Sequence, residues 1–333
     1  VPRRLTYSES GVDIDEKGIF VSRLVSQLKK SEGALSIGHF AGGMRLKGQV
    51  FTLACDGVGS KIMIARAMNK WDTVGIDCVA MNVNDTVCIG ARPLALVDYI
   101  ALPRVELDLA SPIGRGLNRG ADAAGATIVG GEVAVLPDML KEVDISATCM
   151  GIADRRHLIT GRAIRPGDVI IGMESSGVHS NGFTLIRRIL SENNIALSER
   201  FGRITLGQEL LKPTEIYVKS VLRLLKKVSV HGIAHITGGG FRNILRLKES
   251  VRFHIEELPP IPPIFEFISR EGNVEQREMF QTFNMGIGMV IVISEKSAEP
   301  ALSLLGRSAH IIGHVEEGRG VFIREYGLSY MKY

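Results

Sequence analysis

The chain has 333 residues, with 40 Lys and Arg against 36 Asp and Glu for a formal net charge of +4. That length predicts two domains at roughly 100–200 residues each. A content of 45% hydrophobic and 23% charged residues excludes a largely disordered chain, and so slight a charge excess gives no argument for a nucleic-acid or acidic-membrane binder. Glycine is the outlier: 37 residues, or about 11% against a usual ~7%. Cys55, Cys78, Cys88 and Cys149 show no CxxC pair and lie in apolar stretches, which predicts buried, reduced thiols. The amino-terminal residues have no hydrophobic signal core, and the longest apolar run, Met285 to Ile293, is about half a bilayer span, so a cytoplasmic chain is expected.

In chain order, Val50–Cys55 reads as a buried strand, followed by a helix from about Lys61. Apolar residues at Ile76, Val79/Ala80, Val83 and Val87 form a helical stripe over Gly75–Ile89. Leu94–Ala101 is a strand, Ala110–Ala124 a helix, Thr127–Val129 a short strand and Val143–Ile152 another. A turn-rich charged stretch, Asp154 to Asp168, marks the boundary between domains expected at residues 1–160 and 161–333. Beyond it, strands are expected at Val169–Met173, Met285–Ile293, Ile311–Val315 and Val321–Arg324. Helices are expected near Gly182–Ser191, Glu215–Val228 and Ala298–Leu304, with a stiff Pro259–Pro263 connector. This alternation indicates an α/β or α+β architecture.

The glycines cluster beside polar residues. Gly38–Gly43 can present backbone N–H groups to phosphate, although a surface loop explains it equally in isolation. Asp56-Gly57-Val58-Gly59-Ser60-Lys61 sits at a strand-to-helix junction suited to Mg²⁺ and a polyphosphate; a capped tight turn accounts for it as well. Neither a Walker A string nor a GxGxxG fingerprint occurs. On the helix Gly75–Ile89, Asp77 and Asn84 fall about 20° apart around the axis, with Asp85 about 80° from Asp77. With Asp56, Asp98 and Glu132 at neighbouring strand ends, these acids suit a hard cation that shares its shell with phosphate. Ser175–Gly182 offers hydroxyls, an amide, an imidazole and a helix start, suited to a small phosphorylated ligand. Thr237-Gly238-Gly239-Gly240 permits close backbone approach, or tight packing.

Taken together, these strings resemble the aminoimidazole ribonucleotide synthetase (phosphoribosylformylglycinamidine cyclo-ligase) family of purine biosynthesis. The resemblance rests on GVDID (Gly11–Asp15), DGVGSK (Asp56–Lys61), the Gly75–Asp85 stretch and VGGE (Val129–Glu132). It continues through SSGVHSNGF (Ser175–Phe183), KPTEIYVKSV (Lys212–Val221), HITGGGF (His235–Phe241) and GNVEQREMFQTFNMGIGM (Gly272–Met289). Here the glycine-rich loop reads GHFAGG, with His39 and Ala41 where glycine is common, and Val178 stands where proline is frequent.

The resemblance implies an ATP-dependent ligase converting formylglycinamidine ribonucleotide to aminoimidazole ribonucleotide, with release of ADP and phosphate. It implies an amino-terminal ferredoxin-like sheet that joins a second copy in a barrel as a homodimer, and a carboxy-terminal mixed sheet flanked by helices. Asp56, Asp85 and Glu132 would hold Mg²⁺. Gly42, Gly43, Gly57, Gly59, Lys61, Asp77 and Asn84 would join Asp56 around ATP. Ser176, His179, Ser180, Asn181, Gly182, Thr214 and Gly239 would bind substrate. His179, Lys61 and Asp85 would be catalytic, His179 as the proton carrier. The competing readings are a selenophosphate synthetase or thiamine-monophosphate kinase, or a non-catalytic nucleotide-binding protein. The first expects a reactive Cys near the amino terminus, the kinase leaves KPTEIYVKSV and TFNMGIGM unexplained, and the last expects loss of the acids.

Overall fold

The computed structural model describes residues 5–29, 32–35 and 38–333. Helix α1 (Ile14–Gln27) starts at Asp13, whose carboxylate accepts from the Asp15 and Glu16 N–H groups. The first sheet follows: β1 (Gly42–Leu46), β2 (Gln49–Gly57), α2 (Ile62–Ala67), α3 (Asp72–Cys88), β3 (Arg92–Leu102), α4 (Leu107–Ala124), β4 (Thr127–Val135) and β5 (Asp144–Asp154). Its strand order is β1-β2-β5-β3-β4, with β5 antiparallel to both neighbours and β3 parallel to β4.

That order corrects the ferredoxin-like expectation. A ferredoxin-like unit runs β-α-β-β-α-β, whereas here α3 and α4 are successive crossovers, β2-α3-β3-α4-β4, and β5 then inserts between β2 and β3. β4 also extends well past Val129, because its parallel pairing with β3 continues through Gly130 and Gly131 to Val135.

The second sheet is built from β6 (Asp168–Glu174), β9 (Val230–His235), β10 (Arg252–Ile255), β11 (Ile287–Ser294), β12 (Ala309–Glu316), β13 (Gly320–Ile323) and β14 (Leu328–Tyr330). A two-strand ribbon, β7 (Arg200–Phe201) with β8 (Ile204–Thr205), stands apart. The helices are α5 (Phe183–Glu192), α6 (Leu206–Leu210), α7 (Val218–Leu225), α8 (Pro263–Glu271), α9 (Gln276–Thr282) and α10 (Ala298–Leu305). The order β14-β13-β10-β12-β6-β11-β9 is mixed, with β10 and β13 parallel. β11 is buried along nearly its whole length, which is why its sequence is an unbroken apolar run. The prolines end as a helix start: Pro262 caps α8 and Pro263 occupies its first turn.

The segment ahead of α1 crosses between the halves. Residues 5–15 pack on the second half: Leu5 N–H donates to Gly272 O at 3.4 Å, Tyr7 N–H to Glu278 Oε1 at 2.9 Å, and Arg242 Nη2 to Asp15 Oδ1 at 2.8 Å. Among the cysteines, Cys78, Cys88 and Cys149 are buried, but Cys55 is exposed. Strand alternation puts it with Leu53 on the outer face of β2, opposite Val50 and Ala54. No described helix is long and apolar enough to cross a membrane.

Candidate active site

Helix α3 is the central element. Fourteen of its residues are buried, because one side packs on the first sheet, another on α4, and a third on the second half. The approach to α4 is possible only through glycine: a Cβ on Gly116 would lie 2.1 Å from Asp72 O. Polar groups in so enclosed a helix must be partnered. Asn82 turns to the sheet, its Oδ1 accepting from Asp56 N–H at 2.9 Å and its Nδ2 donating to Asp56 O at 3.0 Å. This fixes the end of β2.

Asp77 and Asn84, near each other on the helical wheel, face the segment 212–217. Asp77 Oδ1 accepts from Thr214 N–H and Thr214 Oγ1, both at 2.7 Å. Asn84 Nδ2 donates to Glu215 O at 2.8 Å and its Oδ1 accepts from Tyr217 N–H at 3.0 Å. These side chains take the backbone N–H groups, so α7 starts at Val218 instead of Glu215. Lys61 is wholly buried against Asp77, its Nζ 3.0 Å from Oδ1 and 2.8 Å from Oδ2, and it donates to Lys212 O at 2.6 Å. Burial lowers the Lys61 ammonium, and Asp77 opposes that shift. The lysine expected at phosphate therefore sits in the seam between the halves.

The loop 175–182 closes the seam from the other side. Ser176 Oγ donates to Pro213 O at 2.6 Å, and Ser180 Oγ lies 3.4 Å from Thr214 Oγ1. His179 is 2% exposed, with φ of 63°. Its Nε2 accepts from Ser176 N–H at 3.2 Å and Glu215 N–H at 3.4 Å. Burial, then His235 and Lys61, hold this imidazole well below its ordinary range, so it is neutral and anchors two loops. Asn181 packs its carboxamide on Gly238, and Gly182, at φ 76°, opens α5 beneath the Phe283 ring. Gly239, at φ 144°, precedes the 3₁₀ turn Gly240–Arg246. Ser176, His179, Ser180 and Thr214 are thus brought together.

Asp85, next along α3, meets the second half at the end of β9. Its Oδ1 lies 2.8 Å from Nδ1 of His235, fully buried at the end of β9. Asp56, at the tip of β2, is close enough that burial first, and the Asp85 charge second, raise its carboxyl above the usual range. Asp56 Oδ1 accepts from Gly57 N–H at 2.8 Å, while Gly59 takes φ 68° with open space where a Cβ would stand. Glu132 does not join the pair. It lies opposite Tyr99 on the outer face of the first sheet, and the register sets Asp56 on the inner face. Asp98, on that inner face, abuts Gly131. His235 is the site residue that sequence reasoning left without a role; its signal was the HITGGGF string.

A cavity of about 1000 Å³ lies between the halves, and neither Asp56 nor Asp85 lines it. Gly38, His39 and Ala41 form one wall, Leu245 and Arg246 another, and Ile89, at the end of α3, reaches it. Its lining carries Arg45, Arg155, Arg162, Arg246, Lys248, Arg319 and Lys332 against a single acid, Glu249. Arg246 ties the glycine loop down, donating to Gly38 O at 3.2 Å and His39 O at 2.7 Å. Nδ1 of His39 accepts from Phe40 N–H at 3.0 Å, which leaves Nε2 as a buried donor without a partner. Burial and then Arg246 pull this imidazole down to about 4. Gly42 and Gly43, expected at phosphate, begin the edge strand β1, paired with Leu53 and Thr52.

A two-sheet α/β chain with a basic cavity between its halves is the frame, and the chain belongs to the AIR synthase related protein family. The N-terminal domain model of that family matches residues 38–153 and the C-terminal domain model residues 165–325. Among curated relatives, the phosphoribosylformylglycinamidine cyclo-ligase of Methanothermobacter thermautotrophicus is 46% identical over 94% of this chain and 95% of its own length. That of Methanobrevibacter smithii is 44% identical over 99% and 100%. The fold is shared with AaThiL complexed with AMPPCP and TMP (TM-score 0.70, 18% identity, 95% of this chain and 96% of that one). It is also shared with the hydrogenase maturation protein HypE in complex with ATP (TM-score 0.66, 20% identity, 93% of each).

Proposed function

We propose that this chain catalyses the ATP-dependent cyclisation of formylglycinamidine ribonucleotide to aminoimidazole ribonucleotide, releasing ADP and phosphate. The observation that carries this reading is the full-length identity of 46% and 44% to the two cyclo-ligases, over a chain in which the Asp85 charge reaches Asp56 and helps raise its carboxyl. Two carboxylates whose charges oppose each other offer oxygen donors to a hard divalent cation. Mg²⁺ held by Asp56 and Asp85 would supply charge neutralisation at the ATP phosphates. His235 holds Asp85 in orientation through the 2.8 Å contact. Phosphoryl transfer to the formyl oxygen needs positioning and charge compensation more than a covalent nucleophile; a ring-closing nitrogen then displaces phosphate.

The basic cavity suits the phosphorylated ligands, with the buried His39 N–H as a fixed donor. Lys61 and Asp77 act as positioning residues, since their charged atoms meet each other and the segment 212–214 within the seam, while His179 accepts two backbone N–H groups at Nε2 and keeps a buried Nδ1 without a hydrogen bond. A homodimer through the first sheet is supported by its outer face, where Met44, Leu53, Val97 and Tyr99 are 53%, 58%, 44% and 40% exposed. Glu132 stands on that face and would lie at the interface. A cytoplasmic location is consistent with these substrates. The test is ATP hydrolysis with and without formylglycinamidine ribonucleotide, following the aminoimidazole product. Hydrolysis that ignores this substrate would overturn the assignment. With Asp85→Asn, turnover should fall by at least about 10²-fold with an unchanged circular dichroism spectrum.

A further inference from the structure

Far along the second sheet from α3, two histidines and a glutamate share one face. His254 on β10 and His314 on β12 are direct cross-strand partners, and Glu316 follows two residues on. One ligand atom from each lies within 4.8 Å of the others, the one such cluster among the described residues. Glu316 Oε2 is 3.5 Å from His254 Nδ1 and 3.6 Å from His314 Nε2.

These separations are too long for N–H···O bonds of about 2.7–3.2 Å. They fit the edges of a tetrahedron around an ion with ligands at about 2.0–2.1 Å, which are ~3.4 Å. Both ring nitrogens of His254 are buried and make no hydrogen bond. That is costly for an imidazole, and an ion at Nδ1, the nitrogen facing Glu316, would meet one of the two. The surroundings are arranged as an outer layer. Glu256 Oε2 stands 3.4 Å from His314 Nδ1, the far nitrogen, on the side where a carboxylate backs a metal-bound imidazole but a few tenths of an ångström beyond a hydrogen bond. Arg252 Nη1 donates to Glu316 Oε1 at 3.3 Å, leaving Oε2 for the cluster. The Phe322 ring packs edge-on against His254 at 5.2 Å and walls one side.

We propose that His254, His314 and Glu316 form a site for a borderline divalent transition-metal ion of the zinc class. Two imidazoles select such an ion over Mg²⁺, which the all-oxygen pair Asp56 and Asp85 suits better. Three protein ligands leave a fourth position for water or an external ligand, and the ion would tie β10 to β12.

The test uses the full chain, stripped with a chelator, exchanged into metal-free buffer and titrated with Zn²⁺ against a chromophoric competitor. One equivalent should bind, with cobalt giving visible absorption at the same stoichiometry. His254→Ala and His314→Ala should each weaken binding by at least about 100-fold, and Glu256→Gln by about 10–100-fold. Zn²⁺ should raise the melting temperature of the parent chain but not of these variants. Should an alanine variant fail to fold, His254→Gln and Glu316→Gln supply the same comparison. The proposal is overturned if the chain binds no Zn²⁺ at micromolar concentration. Unchanged affinity in the histidine variants, or loss of the bound equivalent only in Asp85→Asn, would overturn it equally.

Discussion

Replacing Asp77 by Asn tests the seam that holds the two halves in register. Both members of the Lys61–Asp77 pair have side chains 0% exposed, with Nζ–Oδ distances of 2.8 and 3.0 Å. Removing one partner of such a pair costs about 3–5 kcal/mol, because the other charge stays buried without compensation. An amide at 77 still offers Oδ1 to Thr214, and Lys61 keeps its bond to Lys212 O, which points to the lower end, about 3 kcal/mol. Burial lowers the Lys61 ammonium in the folded chain, and losing Asp77 lowers it further. The unfolded chain, with lysine near its usual ~10.4, then binds more protons below that pH than the native state does. Stability therefore rises with pH through that window, and the deficit of the variant should shrink between pH 7 and pH 10. Lys61→Met with Asp77→Asn leaves no buried charge and should regain most of the loss. The assay is urea unfolding followed by Trp71, the sole tryptophan, which is 3% exposed just ahead of α3. A loss below about 1 kcal/mol at pH 7, or the same loss at both pH values, would refute this account of the seam.

Asp56 gives the opposite sign. Its folded carboxyl is raised by burial and by Asp85, so the native state is penalised above that pH and unaffected below the unfolded value of ~3.9. Asp56→Asn should therefore raise the melting temperature at pH 7 in metal-free buffer, lose that advantage at pH 3, and abolish turnover. Gly116→Ala drives a methyl to within 2.1 Å of Asp72 O and should cost about 1–3 kcal/mol by thermal melting. Gly114→Ala, two residues away on α4 with open space at its Cβ, should stabilise by about 0.5–1 kcal/mol. Leu53→Glu, on the outer face of the first sheet, should convert a dimer to monomers in sedimentation velocity; an unchanged sedimentation coefficient would place the interface elsewhere.

Much of the architecture was legible because buried elements write their period into sequence. The stripe of α3, the unbroken run of β11 and the polar–glycine strings at strand ends need only local geometry to read. Elements such as β9 and β10 were missed because histidine and arginine interrupt their alternation, and α8 was hidden behind a proline run that caps it. The wheel position of Asp77 and Asn84 was likewise sequence information: 3.6 residues per turn put them on one face, and both meet the segment 212–217.

What those residues touch was a tertiary decision. A lysine beside a glycine turn has the same local pattern whether it faces phosphate or a buried aspartate 16 residues on, and only the packing of the two halves selects the second. Glu132 follows two glycines as a ligand would, yet a strand shows its residues to alternate faces, and the parallel register with β3 turns it away from Asp56. The glycine excess in the sequence therefore marked where backbone comes close. Which glycines face the basic cavity, as Gly38 does, and which let two helices touch, as Gly116 does, depended on contacts between residues far apart in the chain.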